Sequence, residues 1–160
     1  MKRVITFGTF DILHTGHIRF LEKAKALGDI LIVGVAGNDV YLQLKKTLPI
    51  LDEKVRLEIV KSLSCVDNAF ISSDETQSVM NDIIEFHNSD IIALGEDNKR
   101  SDNDFRGKIV KRLTRYPQIS SSDIKEKIKK PIEEKLASYQ KQIEAQKKLI
   151  EDLQNKLKNN

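Results

Sequence analysis

The sequence predicts an α/β fold, a parallel sheet with flanking helices, extended by a C-terminal coiled-coil helix. Three observations predict it. Short β-branched apolar runs alternate with amphipathic stretches, the pattern of strands joined by helical crossovers. The first of these runs leads through a glycine-bearing turn directly into a helix. Beyond residue 120 strand character disappears, and apolar residues recur in steps of four and three among Lys, Glu and Gln.

Taken in chain order, residues 4–7 form the first strand and residues 18–27 the first helix, with Phe20, Leu21, Ala24 and Leu27 on one face and Gly28-Asp29 ending it. Residues 30–36 return as a parallel strand, which makes a right-handed βαβ unit. A helix over 55–63, a strand over 69–71, a helix over 79–87 and a strand over 91–94 continue the alternation. The β-branched character of residues 109–113 and the break at Pro117 predict a fifth strand, which completes a Rossmann-like sheet. Ser120-Ser121-Ser122-Asp123 has the residue types of a helix cap, and Pro131 suits the start of a further helix. From there Ile132, Leu136, Tyr139, Ile143, Gln146, Ile150, Leu153 and Leu157 form a seam with one polar position. The expected domains are 1–128, catalytic, and 129–160, a coiled-coil segment that joins copies of the chain into a homodimer or higher homo-oligomer.

Charge excludes one class of partner. Residues 1–124 carry 17 basic and 18 acidic side chains, and residues 125–160 carry 10 and 6. A catalytic part so nearly neutral lacks the clustered positive charge that nucleic-acid backbones require. No stretch approaches the roughly 18 to 20 apolar residues that span a bilayer. No leader pattern precedes the first strand, so the expected location is the cytoplasm. Cys65 is the single cysteine, read as a small buried hydrophobe in the run Leu63-Ser64-Cys65-Val66.

The chemistry concentrates in Gly8-Thr9-Phe10-Asp11-Ile12-Leu13-His14-Thr15-Gly16-His17, which links the first strand to the first helix. Backbone N–H groups at a helix N-terminus attract anions, Gly8 permits close approach of the backbone, and two imidazoles add donors where phosphoryl charge gathers. A zinc site on the two histidines lacks further ligands, since His87 is the one other histidine and reads as structural.

This segment resembles that of the HxGH nucleotidyltransferase superfamily, most closely the bacterial glycerol-3-phosphate cytidylyltransferases, over residues 1 to about 128. Arg56 in Asp52-Glu53-Lys54-Val55-Arg56, and Arg115 with Ile119-Ser120-Ser121-Ser122, match two further family signatures. The resemblance implies that His14 and His17 act at the α-phosphate without covalent chemistry. It places Lys46, with Lys45 as alternate, on phosphate oxygens from the loop after the second strand, and adds Arg56 and Arg115 as cationic contacts. Gly8, Thr9, Phe10, Gly16, Gly95, Asp97, Ile119, Ser120 and Ser121 complete the nucleotide site. Mg²⁺ is the implied cofactor, with Asp11 able either to orient the loop or to assist the metal.

The implied reaction is CMP transfer from CTP to a small phosphorylated alcohol, glycerol 3-phosphate first among them, giving CDP-glycerol and pyrophosphate. Gly95-Glu96-Asp97-Asn98 departs from the family's glycine, two aspartates and tryptophan, and Tyr116-Pro117-Gln118 replaces threonine, glutamate and glycine. Leu48-Pro49-Ile50 instead resembles the adenylyltransferases that act on a sugar phosphate. That reading and a non-catalytic nucleotide-binding scaffold are the two alternatives.

Overall fold

The structure is a computed structural model that describes residues 1–74, 76–114 and 120–158, excluding the side chains of 152, 153 and 156–158. Arg115 and Ile119 therefore lie outside the described residues. The chain divides into two compact units, Met1–Ser121 and the remainder from Ser122.

In the first unit the strands are β1 (Arg3–Gly8), β2 (Ile30–Ala36), β3 (Asn68–Ser72), β4 (Ile91–Gly95) and β5 (Ile109–Leu113). They form one parallel sheet in the order β3-β2-β1-β4-β5. The fifth strand is present where β-branched residues predicted it. Helices α1 (Thr15–Lys25), α3 (Glu53–Lys61) and α4 (Gln77–Phe86) supply crossovers, so both faces of the sheet are covered, as a parallel sheet requires. Alternation along each strand divides the core. Val4, Leu31, Val33 and Val35 face a cluster with Leu21, Ala24 and Val60. Ile5, Ile32, Ile92 and Leu94 face the opposite cluster with Met80, Ile84 and Phe105.

Two elements lack a counterpart in the sequence reading. Helix α2 (Asn38–Lys45) follows β2 directly, where the expectation was a loop. Its apolar residues Val40, Leu42 and Leu44 alternate with period two, and among its residues only Val40 is buried, so the helical period is hidden. Its start is held from outside: Glu53 Oε2 accepts from the Asn38 N–H at 2.7 Å and Asp52 Oδ2 from Asn38 Nδ2 at 2.9 Å. A short 3₁₀ helix, Asp102–Phe105, carries a Ser101 and Asp104 capping box and buries Phe105.

The second unit consists of α5 (Ser121–Lys158) from its second residue onward, a single helix of 38 residues with Pro131 inside it. Pro131 was expected to begin a new helix. The chain instead carries the helix through it. Among the described residues no helix is long and apolar enough to cross a membrane.

Candidate active site

β1 and β4 are adjacent, yet their ladder spans only the pairs Val4–Ile91 and Ile5–Ile92, against six residue pairs between β1 and β2. Beyond it the Thr6 hydroxyl donates to the Ala93 carbonyl at 2.8 Å. The strands then part, and the chain leaves β1 toward one side of the sheet and β4 toward the other. This is the switch point at which open parallel sheets bind ligands. A cleft of about 410 Å³ lies there.

The cleft gathers most of the residues expected of it: Gly8, Thr9, Phe10, His14, Gly16 and His17 on the β1–α1 side, with Gly95 and Asp97 after β4. Phe7, Phe20, Asn98 and Leu113 also line it. Apolar walls carry no motif: Phe7 and Leu113 stand on strands and Phe20 on the apolar face of α1, so none of the three was expected in the site.

The β1–α1 loop holds its shape under strain. Phe10 and Ile12 adopt φ of 55° and 49°, a left-handed conformation unfavourable for side-chain-bearing residues and most of all for a β-branched one. Burial fixes Phe10, which inserts into the core cluster under α1. Gly8 is required beneath it, since a Cβ there would meet the Phe10 ring at 2.8 Å. His14 is the N-cap of α1, and its Nδ1 accepts the Gly16 N–H at 3.1 Å. That bond orients the His14 ring. His17, one turn on, stacks on His14 with ring centroids 3.9 Å apart and 25° between planes, and Phe10 meets His17 edge-on at 5.5 Å. The two imidazoles thus stand together at a helix N-terminus, where an anion gains from both the dipole and the ring N–H groups.

Other expected residues occupy different places. Lys45, the alternate, lines the cleft; Lys46 is the C-cap of α2 with φ 60°. Lys46 leaves the helix in a left-handed turn, and Lys45 is the one of the two that lines the cleft. Arg56 does not face the cleft. It is fully buried, donating from Nε to Leu51 O (2.9 Å), from Nη1 to Thr9 O (2.6 Å) and Ala36 O (2.7 Å), and from Nη2 to Asn38 Oδ1 (3.0 Å). Burial lowers its pKa, and the carboxylates of Asp11, Glu53 and Asp52 oppose that shift. Asp11 is buried too, with its two oxygens accepting the Ile50 and Leu51 N–H groups at 3.0 Å each. Arg56 and Asp11 together tie the β1–α1 loop to the segment before α3. Ser121 Oγ donates to Asp11 O at 2.6 Å from the start of α5, with Ser120 just before it.

Across the cleft, the loop carrying Asp97 and Asn98 is clamped by Arg112 of β5. The guanidinium donates from Nη1 to Asn98 O (2.7 Å) and from Nη2 to Arg100 O (2.6 Å), and pairs with Asp102 at 2.7 Å. Nothing in the sequence marked Arg112, because a basic residue on an edge strand ordinarily faces solvent. His87 caps the C-terminus of α4 and stacks on Phe70 at 4.9 Å, apart from the cleft.

A phosphate-accommodating cleft at a sheet switch point, walled by a helix-capping histidine and its stacked partner, defines an α/β enzyme that transfers nucleotidyl groups. The sequence pattern of the cytidylyltransferase-like family matches residues 5–127, and the chain belongs to that family of nucleotidyltransferases. Similar proteins include the FAD synthase of Thermoplasma volcanium, 38% identical over 145 residues that cover 84% of this chain and 99% of the relative. The FAD synthase of Methanothermobacter thermautotrophicus is 40% identical over 114 residues, 70% of this chain and 74% of that one. Among solved structures, the lipopolysaccharide core biosynthesis protein of Thermoplasma volcanium superposes with a TM-score of 0.61 at 34% identity, covering 72% of this chain and 97% of that chain.

These relatives overturn the expectation of CMP transfer from CTP to glycerol 3-phosphate. The histidine motif is shared across nucleotidyltransferases and does not by itself choose the base. Glu96 and Asn98 stand where the glycerol branch carries aspartate and tryptophan, and of the two Asn98 lines the cleft.

Proposed function

We propose that this chain transfers the adenylyl group of ATP to the phosphate of FMN, forming FAD and releasing pyrophosphate. The observation that carries the reading is the 38% identity to an FAD synthase over 99% of that relative's length. FAD differs from FMN by one adenylate joined through a phosphoanhydride, so a nucleotidyltransferase that makes FAD joins those two parts. An FMN phosphate oxygen attacks the α-phosphorus of ATP in line, a P–O bond forms, the bond to the β-phosphate bridging oxygen breaks, and pyrophosphate leaves. His14 and His17 donate to the oxygens on which negative charge develops, and the N-terminus of α1 adds its dipole. Lys45 neutralises the departing phosphates. Arg56 and Asp11 act by holding the β1–α1 loop in place.

Mg²⁺ suits this cleft as a companion of the triphosphate. Both Asp11 oxygens accept backbone N–H groups, which gives Asp11 a part in holding the loop. Among the described residues no cluster of three or more His, Cys, Asp or Glu stands ready to hold a metal ion. Mg²⁺ characteristically binds through substrate phosphates and one or two carboxylates, and Asp97 is the carboxylate lining the cleft. When bound, it neutralises phosphate charge.

A second reading keeps ATP and changes the acceptor to a sugar phosphate, and the likeness to a lipopolysaccharide core biosynthesis protein favours it. Incubation of the full chain with ATP and either FMN or a panel of sugar phosphates, with chromatographic detection of products and of pyrophosphate, decides between them. FAD from ATP and FMN is the expected outcome. Pyrophosphate release with a sugar phosphate but not with FMN overturns the FMN assignment.

A further inference from the structure

Helix α5 presents an apolar face that its own unit leaves uncovered. Ile128, Ile132, Leu136, Tyr139, Ile143, Leu149 and Ile150 are each between 50% and 63% exposed. Five of them follow heptad spacing: Leu136, Ile143 and Ile150 at a positions, Ile132 and Tyr139 at d positions. Ile128 and Leu149 fall beside the seam, at g. Pro131 falls at c, off the seam. A stripe repeating every seven residues is the shape that another helix of the same pitch covers.

We infer that the occupant is α5 of a second copy of this chain, running antiparallel, with Leu136 facing Tyr139 of the second copy. Pairing choices decide the orientation. In a parallel in-register pair, Lys129 at a meets its own copy, Ile128 faces Glu133 and Leu149 faces Gln154, so a like charge enters the seam and both flanking apolar residues meet polar ones. In the antiparallel pair centred between Ala137 and Ser138 these three conflicts are relieved, and Ile150 meets Lys125 at an outer layer, where the lysine stem lies along it and its ammonium reaches water. Leu136 packs on Tyr139 and Ile132 on Ile143. Gln146 meets Lys129, a polar residue against a polar one, and Ile128 at g faces Leu149 at g of the second copy. At e, Glu126 comes opposite Lys147, while Glu133 meets Gln140. Two-fold symmetry makes every pair twice. Shifting the antiparallel pair one heptad toward the C-terminus sets Ile128 and Leu149 against Lys156 and Lys135, and Leu136 against Gln146. Surface charge pairs contribute little stability, so Glu126 and Lys147 act on orientation and register, with the apolar layers supplying the association.

Spin labels on a Cys65→Ser background of the full chain, at Lys127→Cys or Lys141→Cys, test the geometry. Both positions lie at f, outside the interface. At 1.5 Å of rise per residue, the two labels at 127 are offset along the axis by about 31 Å, and those at 141 by about 10 Å. A parallel pair gives the same separation at both positions. The neighbouring antiparallel register gives near-zero axial offset at 141 and about 42 Å at 127. Light scattering on the unlabelled chain reads a dimer, and the Leu136→Glu/Ile143→Glu double variant reads a monomer with its adenylyl-transfer rate retained. A monomeric full chain, a double variant that remains dimeric, equal separations at the two labels, or the pattern of the neighbouring register each overturns the inference.

Discussion

Arg56 and His14 are both residues a sequence motif singles out, and the structure gives them unlike work. A guanidinium that donates to three backbone carbonyls and Asn38 while wholly buried is a strut. Arg56→Ala leaves the Thr9, Ala36 and Leu51 carbonyls without that donor and the buried Asp11 without its nearby cation, and is expected to cost about 3 kcal/mol or more. Denaturant unfolding checks this. A stability change below about 1 kcal/mol with a raised KM for ATP returns Arg56 to the phosphates. His14 combines two duties that substitution can separate. Asn can accept the cap hydrogen bond, so His14→Asn is expected to keep the melting temperature, whereas His14→Ala gives up about 1 kcal/mol of capping. Both variants, and His17→Ala, are expected to lower kcat by roughly 10² to 10³, the scale of a lost preorganised donor. Near-normal turnover in His14→Asn and His17→Ala removes the histidines from the chemistry. What the sequence made legible here is residue type and rough neighbourhood. It left direction hidden: whether Arg56 points inward, and whether Lys45 or Lys46 faces the cleft, depends on helix phase and packing.

At the scale of elements, the strands and the helices α1, α3 and α4 were legible because each buries one periodic face. Helix α2 was not, since it buries little and is capped by Asp52 and Glu53 from another helix, a contact with no local signature. The same holds for the β4–β5 segment, whose order comes from Arg112 reaching back to Asn98 and Arg100. Arg112→Ala frees the loop that brings Asp97 and Asn98 to the cleft. Its Asp102 pair is partly exposed and contributes at most about 1 kcal/mol, so the fold is expected to persist. The effect belongs in kcat/KM, because small displacements of positioned groups slow transfer out of proportion to their cost in stability. A several-fold loss in kcat/KM with the melting temperature held is the expected result, and Arg112→Lys restores little, since a point charge cannot span two carbonyls and a carboxylate. Unchanged kinetics in Arg112→Ala make the clamp merely structural.

Across the whole molecule, the cleft exists because β1 and β4 stop pairing after two residue pairs, while among the described residues the core that holds them in place lies before α5. Among the described residues both apolar clusters lie before Thr114, and Ser121 at the start of α5 donates to Asp11 O. A chain ending at Ile128 therefore keeps the cores, the cleft and the Ser121 hydrogen bond. It loses the heptad layers from Ile132 onward. Such a chain is expected to unfold cooperatively and to transfer adenylyl groups at a rate within about two-fold of the full chain, because preorganisation of the site depends on the groups around it. Ending the chain at Thr114 instead removes the Ser121 donor along with Arg115 and the serines, and activity is expected to fall even where the sheet survives. Calorimetry and a product assay on the two truncations separate these cases. Loss of activity in the chain ending at Ile128 makes the C-terminal helix part of the catalytic unit, whereas full activity in the chain ending at Thr114 dismisses the segment 115–121 from the site.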